Sequence, residues 1–279
     1  MTRSHMLSAE ALTIRYRDRT IVPRLDLVIP PGRITAIVGP NGCGKSTLLK
    51  ALTRLIPAKE GRVVLDGTEL RSRSAKDLAR TIGLLPQSPT APEGIAVADL
   101  VSRGRHPHQK AFARFTAHDG EVVAGALAAT GTAELADRPV DELSGGQRQR
   151  VWIAMALAQE TDILLLDEPT TFLDLSHQID VLDLLADLNQ LQGTTIVMVL
   201  HDINLAARYA DHLIAMRAGE IVADGPPGDV LTEELISEVF DLHAVVMTDP
   251  VSGTPIIIPR GRHHLLEVPA TPAIGRSRR

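Results

Sequence analysis

The stretch Gly39-Pro-Asn-Gly-Cys-Gly-Lys-Ser-Thr47 constrains the fold of this chain more than any other. It fits the pattern G-x-x-x-x-G-K-[ST]. Residues 33–38, just before it, are apolar and read as a strand. Residues 45–55 read as a helix that stops before Pro57. Gly39, Gly42 and Gly44 let successive backbone N–H groups converge on one concavity, and the start of the helix adds partial positive charge. Such a concavity suits phosphate. Lys45 can reach toward the outer phosphates of a nucleotide, and Ser46 can ligate Mg²⁺. A glycine-rich turn with an incidental lysine is the alternative, and the flanking strand and helix argue against it. Cys43 has two readings: a thiol with a lowered pKa at a helix N-terminus, or a small side chain filling a variable slot.

The rest of the chain reads as mixed α and β. Residues 11–16 and 25–29 read as strands, as do 63–65 before the turn Asp66-Gly67 and then 82–85. Pro86, Pro89 and Pro92 interrupt regular structure, and the helical stretches 97–103, 118–130 and 147–159 follow, so about 88–160 looks like a helical insertion. Residues 163–166 and 195–200 are continuous apolar runs that suit parallel strands covered on both faces. Helices at 176–189 and 202–209 alternate with them, as a βαβ sheet requires. Residues 213–216 and 220–223 flank Ala218-Gly219 like a hairpin, and 232–240 reads as a helix. Residues 244–260 form a small β appendage, and 261–279 read as a flexible tail.

Composition excludes several classes. Only 3% of residues are aromatic against 44% hydrophobic, so the core must be aliphatic. A net charge of -5 argues against a dedicated nucleic-acid binder, which is usually basic. No apolar run reaches the roughly 18 residues needed to span a bilayer, and the charged N-terminal region is no signal peptide, so the chain reads as cytoplasmic. The single cysteine excludes an internal disulfide framework and a cysteine zinc cluster. Ser4-His5-Met6 fits a cloning scar as well as a native start.

The run Ile163-Leu-Leu-Leu-Asp167-Glu168-Pro169 ends an apolar strand in two carboxylates. Ligands gather at the carboxyl ends of parallel strands. Asp167 is placed there to hold Mg²⁺ and Glu168 to polarise an attacking water; a solvated acidic turn is the alternative. Leu143-Ser-Gly-Gly-Gln147 opens another helix. Ser144, the N–H groups of Gly145 and Gly146 and the helix start at Gln147 offer a second anion-binding surface; a glycine turn that merely caps a helix is the alternative. One nucleotide has little use for two such surfaces on one chain, so the second is best presented to a nucleotide held by another chain.

These motifs, in this order, resemble the ABC transporter ATPase family across about residues 8–260. The resemblance implies an α/β fold: a P-loop NTPase core of ABC ATPase type, with an antiparallel β-subdomain and an inserted helical subdomain, together spanning 8–243. It implies ATP and Mg²⁺ as cofactors, bound by residues 39–47, namely Gly39, Pro40, Asn41, Gly42, Cys43, Gly44, Lys45, Ser46 and Thr47. Tyr16 matches the aromatic that stacks on adenine; a ring packed into the β-subdomain is the alternative. Gln87 matches a glutamine that senses Mg²⁺ and the attacking water, and His201 a switch histidine at the γ-phosphate. Asp174 matches an acidic loop crossing a head-to-tail dimer interface, or it flanks the helix that follows. Lys45, Gln87, Glu168 and His201 thus carry catalysis, and Ser46, Gln87 and Asp167 face the metal.

The implied partners are a second copy of the chain, permease subunits docking beside 87–117 at the cytoplasmic membrane face and, indirectly, a substrate-binding protein, with no nucleic acid. Leu84-Leu-Pro-Gln-Ser-Pro89, Gly104-Arg-His-Pro-His108, 199–211 and Asp249-Pro-Val-Ser-Gly-Thr-Pro255 resemble the ferric-siderophore import group. Vitamin B12 or haem import is the alternative within the family, and a soluble ATPase of translation or DNA repair the alternative outside it. The histidine pairs 263–264 and 106/108 read as solvated or as weak metal sites.

Overall fold

The computed structural model describes residues 5–109, 115–261 and 263. Residues 110–114, inside the stretch expected to meet a permease, and nearly all of the expected tail lie outside these.

In chain order the elements begin with strands β1 (Leu7–Tyr16), β2 (Arg19–Ile29) and β3 (Ile34–Val38), then helix α1 (Lys45–Leu52). Strands β4 (Glu60–Leu65) and β5 (Thr68–Glu69), helix α2 (Ala75–Thr81) and strand β6 (Ile82–Leu85) follow. Next come α3 (Val97–Ser102), α4 (Ala117–Ala129) and α5 (Gly145–Leu157), then β7 (Ile163–Asp167), α6 (Leu175–Gln192), β8 (Thr195–Val199) and α7 (Ile203–Tyr209). The chain closes with β9 (His212–Arg217), β10 (Glu220–Gly225), α8 (Pro227–Val230), α9 (Glu233–Phe240), β11 (Ala244–Thr248) and β12 (Pro255–Pro259).

A six-stranded sheet, ordered β10-β9-β3-β8-β7-β6, forms the centre. All its pairings are parallel except β9 with β10. That hairpin turns at Ala218 and Gly219, both at positive φ, the geometry that matches strand twist in a two-residue turn. A four-stranded antiparallel sheet, β2-β1-β4-β5, lies beside the centre, and β11 pairs with β12 near the end of the chain.

Alternating side chains of the central strands feed two separate cores, because successive residues of a strand face opposite sides. Ile34, Ala36, Val38, Leu164, Leu166, Ile196, Met198, Leu213 and Ala215 join one core with α3, α4, α5, α6 and α7. Ile37, Ile163, Leu165, Val197, Val199, Ile214 and Met216 join the other, with α1 and the antiparallel sheet. Both cores are aliphatic, as the composition requires; Trp152 is the only tryptophan in the chain and is buried in the first. Full burial of one such aliphatic side chain contributes ~1.5–3 kcal/mol.

Several elements differ from the sequence reading. Strand β1 begins at Leu7, four residues earlier than the expected 11–16. Ala11 has φ 48°, and the pairing with β2 shifts register between Ala9 and Leu12. This bulge moves the buried positions from odd (Leu7, Ala9) to even (Leu12, Ile14), which hides the strand from a period-2 search. Strand β2 extends back to Arg19 through a stretch that mixes exposed Arg19, Thr20 and Arg24 with buried Val22, too irregular to read as a strand. Helix α2 was not expected, because it buries only Leu78; Ser74 caps it by accepting from the Asp77 N–H. Helix α1 stops at Leu52, before the expected 55. Helix α6 runs three residues beyond the expected 189, until Gly193 turns into the left-handed region at φ 72°. Helix α5 starts at Gly145, two residues before the expected 147.

Candidate active site

The loop between β3 and α1 is shaped by backbone that tolerates no side chain. At Gly39 φ is 150°, and a Cβ there would lie 2.1 Å from the Met216 carbonyl oxygen. Gly44 caps α1 at φ 109° with no side-chain bond, so the first N–H groups of the helix stay available to an anion. Lys45 is buried, and its ammonium donates to the carbonyl oxygens of Gly39 at 2.8 Å and Pro40 at 3.0 Å. The Cys43 thiol is buried as well, and burial pushes its pKa up despite the neighbouring Lys45. The activated-thiol reading is therefore overturned, because desolvation outweighs the nearby positive charge.

Strands β6, β7 and β8 end side by side and present their next residues to this loop. Asp167, the last residue of β7, and Glu168, just beyond it at positive φ, meet different neighbours. Asp167 is 1% exposed, and its Oδ1 accepts from the Ser46 hydroxyl of α1 at 2.8 Å. Its Oδ2 is buried without a hydrogen-bond partner. Burial raises its pKa; Ser46 opposes this, and the charge of Glu168 adds to it. A carboxylate oxygen lacking a donor, beside a hydroxyl, is a hard oxygen pair that fits Mg²⁺. No cluster of three or more His, Cys, Asp or Glu suited to a metal occurs among the described residues.

Glu168 turns away from α1. Its φ is 57° and it is 7% exposed. Oε2 accepts from the Gln87 amide at 2.7 Å and from the Thr171 hydroxyl at 3.2 Å. Oε1 lies 2.7 Å from His201 Nε2. The structure therefore brings Gln87 and His201, both expected from the family resemblance, onto one carboxylate.

The second surface lies on α5 and the start of α6. Ser144 caps α5 by accepting from the Gln147 N–H at 3.2 Å, and Gln147 Oε1 accepts from the Ser144 N–H at 3.1 Å. This reciprocal box leaves the Ser144 hydroxyl hydrogen free of a backbone partner. Buried Leu143 anchors the turn in the first core. Gly145 and Gly146 lie against Phe172 and Leu173, where Cβ atoms would sit 3.6 and 3.4 Å from the nearest side chains. Asp174 caps α6, accepting from the His177 N–H and the Ser176 hydroxyl, each at 3.0 Å. These bonds, the His177 backbone first, hold its carboxyl below the usual carboxylate range. Ser144, Gly146, Gln147, Arg150 and Asp174 border a shallow cavity of about 370 Å³.

Tyr16 ends β1 as an exposed residue, 46% accessible, which argues against full packing inside the sheet and suits a ring used for stacking. Among the histidines given no role, His108 Nε2 is engaged by the Gln159 carbonyl at 2.6 Å. Sequence reasoning missed two contributors. Thr171 stands three residues after Glu168, a spacing at which a hydroxyl commonly reaches back in a turn. Gln149 is buried in α5 and donates to the Pro169 carbonyl at 3.0 Å; a polar residue on the inner face of a helix was its signal.

Residues 22–171 match the ABC transporter family. The chain is 54% identical over 256 residues to the ferric enterobactin transport ATP-binding protein of Escherichia coli (strain K12), covering 92% of this chain and 94% of that one. It is 50% identical over 252 residues to the iron(3+)-hydroxamate import ATP-binding protein of Bacillus subtilis (strain 168), covering 90% and 94%. Among solved structures it resembles a metal-chelate type ABC transporter in an inward-facing conformation, with TM-score 0.78, 33% identity and coverage of 94% and 98%. It also resembles a bacterial ABC transporter cassette solved as a dimer, with TM-score 0.73, 27% identity and coverage of 79% and 98%. Phosphate loop, paired carboxylates, second anion surface and relatives agree: this chain belongs to the ABC transporter ATP-binding family and is an ATPase of that family.

Proposed function

We propose that this chain is the ATP-hydrolysing subunit of an importer that takes up ferric siderophores through a separate membrane permease. We further propose that it works as a pair, each copy closing the other's nucleotide. The cargo reading is supported by relatives named for ferric enterobactin, siderophore and hydroxamate import. The observation that carries the mechanism is Glu168, buried at a strand end with Gln87, Thr171 and His201 on its two oxygens. Residues 8–243 form the ATPase unit in this reading, with 88–160 as its helical insertion. No helix among the described residues is long and apolar enough to cross a membrane, so the pore belongs to the permease.

The residues divide the work. Tyr16 stacks on the adenine. The N–H groups of residues 39–47 cradle the phosphates, and Lys45 exchanges its bonds to the Gly39 and Pro40 carbonyls for the outer phosphates. Ser46 and Asp167 hold Mg²⁺, with Gln87 alongside; bound there, the ion neutralises charge on the phosphates. Glu168 orients the attacking water and accepts its proton. His201 stabilises charge on the transferring phosphoryl group. Gln87 and His201, both bonded to Glu168, report to it whether the nucleotide is in place. From the partner copy, the Ser144 hydroxyl and the N–H groups of Gly145 and Gly146 close over the γ-phosphate, with Gln147 fixing their turn and Asp174 the adjoining loop. Hydrolysis removes the shared phosphate, and the pair opens.

The test is transport of labelled ferric chelates into native membrane vesicles by wild type and Glu168→Gln. Wild type is expected to accumulate chelate with ATP. Glu168→Gln is expected to bind ATP with its hydrolysis reduced roughly 10²–10⁴-fold and transport lost. Normal transport by the variant removes Glu168 from the mechanism, and entry of cobalamin in place of iron chelates refutes the cargo.

A further inference from the structure

Helix α7 starts at Ile203, two residues after His201. Asp202 caps it, its Oδ1 accepting from the N–H groups of Asn204 at 2.8 Å and Leu205 at 3.0 Å. At the far end the Tyr209 hydroxyl donates to Asp183 of α6 at 2.7 Å. Asn204 is the only polar side chain in the first turn, residues 203–206. Its amide nitrogen donates to the Ile257 carbonyl at 3.2 Å, and its Oδ1 accepts from the Ile257 N–H at 2.7 Å. Ile257 stands opposite Val246 in the β11–β12 hairpin. Both of its backbone groups are thus satisfied by one carboxamide, which completes the open edge of β12 as a neighbouring strand's peptide group would. The Ile257 side chain is buried in the same core as Leu205 and Ala206 of α7.

We propose that Asn204 is a positioning residue for His201. Its two-point bond fixes the first turn of α7 to the C-terminal hairpin. Through the Asp202 cap, that turn sets where His201 presents Nε2 to Glu168. The hairpin, whose Ile257 lies 89 residues after Glu168 in sequence (257 − 168), is in this way part of the apparatus that times hydrolysis. A few tenths of an ångström matter here, because a misplacement of about 1 Å can cost 10²-fold in rate. The proposal rests on His201 acting in hydrolysis.

The experiment is a double-mutant cycle in the full chain, with phosphate release measured for wild type, Asn204→Ala, His201→Ala and the double variant. If Asn204 works through His201, Asn204→Ala lowers kcat roughly 10-fold with KM for ATP within about twofold. It then has no further effect once His201 is alanine. Equal losses in both backgrounds mean that Asn204 only supports the fold, and an unchanged kcat means that it does not position His201; either overturns the proposal. Wild-type hydrolysis by His201→Ala instead sinks the role of His201 itself, and this proposal with it. Should Asn204→Ala not fold, Asn204→Asp takes its place. It keeps the acceptor for the Ile257 N–H but loses the donor to its carbonyl, and it is judged by the same two comparisons.

Discussion

Asp167 keeps a buried carboxylate oxygen without a donor, and burial penalises its charged form. A buried charge of this kind costs stability unless it is paired. Asp167→Asn is therefore expected to raise Tm by a few degrees, on the order of 1–2 kcal/mol at ~2–4 °C each, while abolishing Mg²⁺-dependent hydrolysis. Differential scanning calorimetry beside a phosphate-release assay checks both, and a lower Tm contradicts the account. Stability surrendered at the reaction centre is a common trade. At this scale the sequence was most legible where chemistry is carried by contiguous residues, as in 39–47 and 143–147. It was least legible where a role depends on what a side chain meets across the fold. Nothing local in the sequence ties Asn204 to Ile257, 53 residues away. Cys43 is the same problem with the sign reversed: the helix start argued for a reactive thiol, and only burial shows the opposite.

Among the elements, the helical insertion hangs on Arg105. Its guanidinium is 3% exposed and meets Asp119 of α4 at 3.0 Å, Glu160 after α5 at 2.7 Å and the Ala158 carbonyl at 2.9 Å. The Asp119 carboxyl is drawn down to about 2, first by the Thr116 N–H, then by the Thr116 hydroxyl and Arg105. A depressed carboxyl contributes stability that is present above its unfolded pKa and lost as pH falls through the folded value. Arg105→Met removes one of those supports and strands a buried carboxylate. It is expected to lower Tm by roughly 5–10 °C at neutral pH and to start acid unfolding at higher pH, both read by circular dichroism. Unchanged acid behaviour would mean that Thr116 alone sets Asp119. Long apolar or capped elements such as α5, β7 and β8 were visible in the sequence. Helix α2 and the first half of β1 were not, because one buries a single leucine and the other changes phase at a bulge.

Over the whole molecule, the nucleotide loop and the Ser144 surface are each closed by their own hydrogen bonds. If the Ser144 surface serves the nucleotide held by a neighbouring copy's loop, hydrolysis per chain must rise with concentration until pairing saturates. The expected outcome is a specific activity that falls steeply on dilution, with Glu168→Gln running as a dimer in ATP by light scattering and as a monomer without it. A specific activity independent of dilution, from a chain that stays monomeric in ATP, would contradict the pairing. The two cores on either side of the central sheet add a constraint of another kind. Along β7, Ile163 and Leu165 belong with α1, while Leu164 and Leu166 belong with the insertion. Asp167 then meets Ser46, and Glu168 meets Gln87. The apolar run works as an odd–even counter, indifferent to which aliphatic residue fills a slot but strict about how many slots there are. Leu164→Ile is a small repacking problem. One added leucine would leave the composition nearly unchanged and turn Asp167 to the face away from Ser46.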